Sequence, residues 1–160
     1  MEGYKIFIGN KDNFVNNYGF QFEEGKIYEI DQDICPKKVG FHFAKRLEDT
    51  LRYGNAREEN VIICKVTALG KIIEYEDEYY GYYDLYVTDK IKIDKILTRE
   101  DIISYALELP EYRLERFIQT MKLSDEEVKL FMGKSSLIDK YILFYHYNDK
   151  NVFNTQYKGR

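Results

Sequence analysis

The spacing of apolar residues changes once along this chain, close to Thr98, and that change limits the folds available to it. Before this position apolar and polar residues tend to alternate, as in Val61 to Thr67, which is the period of a half-buried strand. After it, Leu114, Phe117 and Ile118 recur at the i, i+3 and i+4 positions of a helix. The sequence therefore predicts an α+β fold, with a mainly antiparallel sheet and one short helix followed by a C-terminal bundle of about four short helices.

The same change sets the predicted domain boundaries. We expect a β-rich domain over residues 1–97, a helical extension packed on it over 98–147, and a flexible tail over 148–160, where the sequence is polar. A chain of 160 residues can bury a hydrophobic core without metals or disulfides. Cys35 and Cys64 lack the paired spacing of a zinc site, so no metal site is predicted and Cys64 is expected to be a buried thiol.

Turn and capping residues divide each domain into short elements. In the first domain a hairpin of Tyr18–Phe22 and Lys26–Ile30 is expected around Gly25, and a strand from Lys71 should return from a turn at Gly70. In the second, Ser124 and Glu127 form a capping box. The remaining expectations are strands at Tyr4–Ile8, Gly40–Ala44, Val61–Thr67, Tyr82–Thr88 and Lys90–Ile93, a helix at Lys45–Tyr53, and helix caps at Thr98 and Ser136.

Net charge and hydropathy exclude several classes of protein. The net charge of −4 provides no basic field for general nucleic-acid binding. No segment approaches the roughly 20 apolar residues of a membrane span, and the N-terminus lacks the pattern of a signal peptide. We therefore expect a soluble, cytoplasmic protein that does not associate with membranes.

Tyrosine is unusually frequent, with 16 Tyr and no Trp. Many of them lie in the acidic segment 74–86, whose carboxylates would repel a nucleic-acid backbone. A strand with one solvated face explains this segment, and so does a protein-binding surface, because tyrosine combines apolar area with a polar tip. The interaction candidates are Tyr79, Tyr80, Tyr82 and Tyr83, and the partner is either another protein or a second copy of this chain.

His42 is the residue that most resembles a site residue. In the segment from Gly40 to Ala44, strand alternation places His42 opposite Phe41 and Phe43, so it can face a cleft while they fill the core. An imidazole in a cleft can perform acid-base or hydrogen-bonding work. The alternative is a structural histidine that is hydrogen-bonded to the backbone.

Spaced motifs across residues 19–97 resemble an uncharacterised domain family of bacteriophages and giant DNA viruses. They comprise Gly19-Phe-Gln-Phe22, Gly25-Lys-Ile-Tyr28, Gly40-Phe-His-Phe43, the helix that ends at Tyr53, and Cys64-Lys-Val66 followed by Gly70. The resemblance implies a viral or phage-related origin, and hence the cytoplasm of a host cell. It implies no particular activity.

A second similarity is to the poly-ADP-ribose polymerases. Val39-Gly-Phe-His-Phe-Ala44, the helix with Tyr53 and the strand Val61–Gly70 follow the order seen in that family, with His42 at the position of its nicotinamide-stacking tyrosine. The similarity implies an ADP-ribosyltransferase-like or nucleotide-binding cleft, in which His42, Phe43 and Tyr53 are the ligand-binding candidates and NAD is the cofactor. The first strand lacks the histidine that holds NAD in that family, and no catalytic residue is assigned.

Two functional hypotheses follow from these observations. The preferred one is a non-enzymatic protein-interaction module that uses its tyrosine-rich surface and needs no cofactor. The alternative is the ADP-ribosyltransferase-like enzyme or nucleotide-binding domain. A concave pocket beside His42 favours the alternative, whereas a flat tyrosine patch favours the first.

Overall fold

A computed structural model describes residues 1–10, 14, 18–54, 56–57, 60–77 and 81–147, except for the side chains of residues 52, 82 and 83. The chain divides into two compact units, Met1–Thr98 and Arg99–Arg160. The predicted tail over 148–160 lies outside the described residues. No helix in the described part of the chain is long and apolar enough to cross a membrane.

The first unit is a seven-stranded antiparallel sheet with one short helix, which confirms the predicted α+β class. The strands lie in the order β2-β7-β4-β1-β3-β6-β5. The helix α1 passes directly into a 3-10 turn that ends before Gly54. The elements are β1 (Glu2–Ile8), β2 (Ile27–Glu29), β3 (Phe41–Ala44), α1 (Leu47–Thr50), the 3-10 turn (Leu51–Tyr53), β4 (Val61–Ala68), β5 (Ile72–Asp77), β6 (Gly81–Thr88) and β7 (Lys90–Ile96).

Asp89 forms a sharp corner in the sheet. Only this residue separates β6 from β7 along the chain, yet three strands lie between them in the sheet, so the sheet must curve back on itself. The Asp89 carbonyl accepts a hydrogen bond from the Ile30 N–H at 2.9 Å, and its carboxylate accepts one from the Lys71 N–H at 2.8 Å. A Cβ on Gly70 would lie 1.9 Å from the Asp89 carboxylate, so a larger residue at position 70 would displace this carboxylate.

The concave side of the curved sheet is filled by aromatic and aliphatic side chains. Phe14, Phe22, Phe41 and Phe43 are almost completely buried there, together with Cys64. Burial raises the pKa of the Cys64 thiol to about 12, because the thiolate is poorly solvated in such surroundings. Cys64 is thus an unreactive core residue, whereas Cys35 is exposed.

Two predicted strand pairings are wrong. Residues 18–22 form no strand, and β2 pairs with β7 instead of with them, because Phe20 and Phe22 pack into the aromatic core. The strand after Gly70 does not return along β4 but pairs with β6 at the far side of the sheet. In both places long-range packing outweighs the local hairpin signal.

The second unit consists of short helices, as predicted. The Ser124 capping box is confirmed, since the Ser124 hydroxyl accepts from the Glu127 N–H and the Glu127 carboxylate accepts from the Ser124 N–H. The cap of the last α-helix is Ser135, one residue before the predicted Ser136, because Ser135 is the residue with extended backbone. The elements are α2 (Arg99–Leu107), α3 (Glu111–Thr120), α4 (Asp125–Phe131), α5 (Ser136–Ile142) and a π-helical turn (Leu143–Tyr147).

Candidate functional site

A cleft opens where β1 and β3 separate. The ladder between these strands consists of the single pair Tyr4–Ala44 among the described residues, whereas β1 pairs with β4 along its whole length. Continuing the β1–β3 register would place Ile6 opposite His42, but the strands have already diverged. The resulting cleft has a volume of about 480 Å³. It is lined by residues 5–8, Gly40, His42, Tyr18, Tyr53, Lys37 and Lys38.

Both strands present main-chain groups to this cleft. Just after β1 the Gly9 N–H donates to the carbonyl of Asn60, which precedes β4, and just after β3 the Lys45 N–H donates to the carbonyl of Asp84 in β6. Because the hydrogen-bonding direction alternates along an antiparallel strand, the N–H and C=O groups of Ile6 and Ile8 point away from β4 toward the cleft. Those of His42 point toward the same cleft from β3.

Lys5 bridges the two strands at the closed end of the cleft. Its ammonium donates to the His42 carbonyl oxygen at 2.7 Å and lies 5.2 Å from the centre of the Phe7 ring. Burial lowers the pKa of Lys5 to about 8, because the charged form loses solvation. The lysine therefore supplies a donor where the strand ladder has ended.

His42 faces the cleft while Phe41 and Phe43 are fully buried on the other side of β3, as the alternation predicts. The His42 Nδ1 atom lies 3.2 Å from the Gly40 carbonyl oxygen, to which it donates in the Nδ1–H tautomer. Nε2 is then an acceptor, and it is buried without a hydrogen-bond partner among the described residues. Burial, and secondarily the charge of Lys5, lowers the pKa of His42 to about 4, so the imidazole is neutral near pH 7.

Three tyrosines surround the imidazole or its strand. The Tyr53 and Tyr75 rings lie 6.3 and 5.9 Å from the His42 ring, measured between centroids, and their hydroxyl groups are hydrogen-bonded to each other. The Tyr18 hydroxyl accepts from the Gly40 N–H at 2.8 Å. Sequence reasoning identified Tyr53 but not Tyr18 or Tyr75, whose roles depend on pairings distant in sequence.

Lys37 and Lys38 line the cleft from the turn that precedes β3. Sequence reasoning missed them as well. The signal was present in Cys35-Pro-Lys-Lys38, where a proline followed by two lysines places two cations on a turn immediately before the His42 strand.

The other predicted site residues lie elsewhere. Phe43 is completely buried and stacks on Tyr86 at 5.5 Å, so it does not line the cleft. Tyr79 and Tyr80 lie outside the described residues, as do the side chains of Tyr82 and Tyr83 on β6. Within the described ranges, no group of three or more His, Cys, Asp or Glu side chains is placed to hold a metal ion.

A family model matches the first two thirds of this chain. Neither the curated proteins nor the solved structures include a match to this chain. The family model is a domain of unknown function (DUF7666), and it matches residues 1–105, which include the whole sheet and every residue that lines the cleft. The chain therefore belongs to this family of domains of unknown function, DUF7666.

Proposed function

We propose that this chain binds a small ligand of the nucleotide class in the cleft between β1 and β3. The observation that carries the proposal is the buried, unpartnered Nε2 of His42 beside a cleft of about 480 Å³. Buried polar atoms in proteins nearly always have a hydrogen-bond partner, and a ligand would supply one to Nε2 once the side chains that cover this atom move aside on binding. The cleft volume lies within the range of small-molecule sites, roughly 300–1,000 Å³.

The chemistry of the walls favours a ligand with a heterocyclic ring. The Tyr53 ring lines the cleft, lies 6.3 Å from the imidazole between centroids, and supplies aromatic surface. The main-chain groups of Ile6 and Ile8 offer donors and acceptors in the pattern of a strand edge, which matches the edge of a base. The similarity to poly-ADP-ribose polymerases makes NAD one member of the class to be tested.

The proposed role is binding rather than catalysis. A catalytic site requires a nucleophile or general base held by a second group at hydrogen-bonding distance. The pKa of His42, lowered to about 4, makes the imidazole a weak base near pH 7, and Cys64 is a core thiol of high pKa. We assign no catalytic residue.

Thermal unfolding with a ligand panel tests this proposal. A ligand present at 100 times its Kd stabilises the native state by about 2.7 kcal/mol and raises the melting temperature. The panel comprises NAD, ADP, AMP, adenosine and the corresponding guanine, cytosine and uracil compounds at millimolar concentration. At least one should raise the melting temperature of the wild type, and His42→Phe, which keeps a ring but removes the acceptor, should reduce the rise. Tyr112→Ala is the control, since Tyr112 is 67% exposed in the helical unit; a panel without any rise contradicts the proposal.

A second candidate function, protein interaction, is favoured by the outer strand β5. Among the described strands it pairs only with β6, and Ile72 and Ile73 at its start are 37% and 36% exposed although they point to opposite faces. Exposed apolar edges recruit extended segments of other chains.

We propose that two copies of this chain associate through the edge of β5. In sedimentation the wild type should then form a dimer whose fraction rises with concentration, and Ile73→Lys should abolish this dimer. A wild type that stays monomeric at all concentrations contradicts the proposal.

A further inference from the structure

The turn from Cys35 to Lys38 has an unusual residue at its third position. The Cys35 carbonyl accepts hydrogen bonds from the N–H groups of Lys38 and Val39 at 3.1 and 2.9 Å, and Pro36 occupies the first central position. Lys37 follows with φ of 65°. Positive φ at the second central position is typical of a type II turn, where glycine or asparagine is preferred because a Cβ is strained there.

Lys37 is the one non-glycine residue with positive φ in the described part of the chain. An L-residue in the left-handed region costs roughly 1–2 kcal/mol relative to the right-handed region. Glycine would avoid this cost, and the other described residues with positive φ are glycines, including Gly25 and Gly40. Strained residues of this kind concentrate at ligand sites, where the side chain is needed despite the backbone cost.

The side chain of Lys37 has a ligand site within reach, because Lys37 and Lys38 both line the cleft that holds His42. Lys5 is a third cation in the same cleft. No carboxylate forms an ion pair with Lys37 or Lys38 among the described residues, although the chain as a whole is acidic. Two uncompensated ammonium groups at one cleft favour an anionic ligand.

We infer that Lys37 and Lys38 form an anion subsite of the cleft that takes the phosphate groups of its ligand. The inference rests on the proposed function and adds the chemical class of the group bound beside the turn. A lysine ammonium binds phosphate as a point charge with several donors, and two adjacent lysines suit a diphosphate better than a single carboxylate. The ring of the ligand would then lie toward His42 and Tyr53.

Replacing Lys37 should change thermal stability and ADP affinity in opposite directions, and this difference is the test. Lys37→Gly removes both the strained Cβ and the charge, so the variant should melt at a higher temperature than the wild type. Its affinity for ADP, measured by calorimetry, should fall about tenfold, which corresponds to about 1.4 kcal/mol. Its affinity for adenosine should not change. Lys37→Asn should likewise raise the melting temperature and lower the affinity for ADP, since asparagine also tolerates positive φ.

Controls separate this inference from the proposed function. Lys71→Gln removes a cation of the same unit outside the cleft and should leave ADP binding unchanged. Inorganic pyrophosphate, titrated alone, should bind the wild type more tightly than Lys37→Gly. If Lys37→Gly binds ADP as tightly as the wild type does, and likewise adenosine, the anion subsite is wrong and the nucleotide cleft stands. If adenosine fails to bind while pyrophosphate binding depends on Lys37, the subsite stands and the nucleotide assignment fails. If the wild type binds neither ADP nor pyrophosphate, both the subsite and the nucleotide assignment are wrong.

Discussion

The Lys5 ammonium donates a hydrogen bond to the main-chain carbonyl oxygen of His42 at 2.7 Å, across the point where β1 and β3 part. The antiparallel register would place the main chain of Ile6 opposite this carbonyl. The lysine side chain takes the place of that main-chain donor, so His42 stays fixed although its strand has lost one neighbour. This relationship leaves an open cleft next to a rigid imidazole.

Lys5 should make stability depend on pH in the alkaline range. The pKa of Lys5 is about 8 in the folded chain because of burial and 10.5 when unfolded. Between these values the unfolded chain binds more protons, so the free energy of unfolding rises with pH by up to about 1.4 kcal/mol per pH unit. Denaturant unfolding at pH 7.5 to 10.5 should show this rise in the wild type relative to Lys5→Met. Parallel curves for the two proteins would contradict the burial of the ammonium.

His42 should have the corresponding effect in the acidic range. Its pKa is lowered from 6.5 to about 4 by burial and by the charge of Lys5. The unfolded chain therefore binds more protons between pH 4 and 6.5, and stability falls as pH falls through that window. From pH 6.5 to 5 these pKa values alone would make the wild type lose about 1.6 kcal/mol more than His42→Phe, and solvent screening of the partly exposed ring reduces the expected difference to roughly 1 kcal/mol. An NMR titration in which His42 protonates near pH 6.5 would show that the imidazole is not desolvated.

Gly40 should tolerate substitution less well than Gly25. Both have positive φ, at 125° and 84°, but a Cβ on Gly40 would lie 2.3 Å from a methyl group of Val87, whereas one on Gly25 meets nothing within 4 Å. Gly25→Ala should cost about 1–2 kcal/mol from backbone strain alone. Gly40→Ala should cost at least 1 kcal/mol more, because overpacking is added to the strain. Equal losses in urea unfolding would contradict the packing of the turn against β6.

Glu127 should stabilise the helical unit through its contacts with Arg99. The Arg99 Nε and Nη2 atoms lie 2.6 and 2.9 Å from the two carboxylate oxygens. Burial by itself raises the pKa of Glu127, but hydrogen bonds from Arg99 and Ser124 lower it overall. Glu127→Gln should destabilise this unit by about 1–2 kcal/mol in denaturation followed by helical circular dichroism. The control Glu126→Gln removes an exposed i,i+3 pair with Lys129 and should cost less than about 0.5 kcal/mol.

Local sequence signals predicted the parts of the fold that depend on neighbouring residues. The alternation around His42 gave its orientation correctly, because a strand places successive side chains on opposite faces whatever its partners are. The Ser124 and Glu127 signal predicted a helix start because the capping box is formed within four residues. His42 and Tyr53, two of the three ligand-binding candidates from the sequence, line the same cleft, and their role in binding stays a prediction.

Features that depend on distant pairing were not predictable in the same way. The hairpin expected around Gly25 fails because β2 finds its partner in β7, more than 60 residues later. The corner at Asp89 sends two consecutive strands to opposite parts of the sheet, and no local pattern specifies that. The cleft exists because β1 and β3 diverge after one pair, so no local pattern predicts that Lys37 and Tyr18 line it.

Backbone NMR of the wild type during titration with ADP tests the central claim most directly, because it reports which residues the ligand contacts. The account predicts that the amide signals of Ile6, Ile8, Lys38 and His42 shift together and saturate along one binding curve. Saturating shifts confined to the helical unit, or no shifts at millimolar ADP, would contradict it.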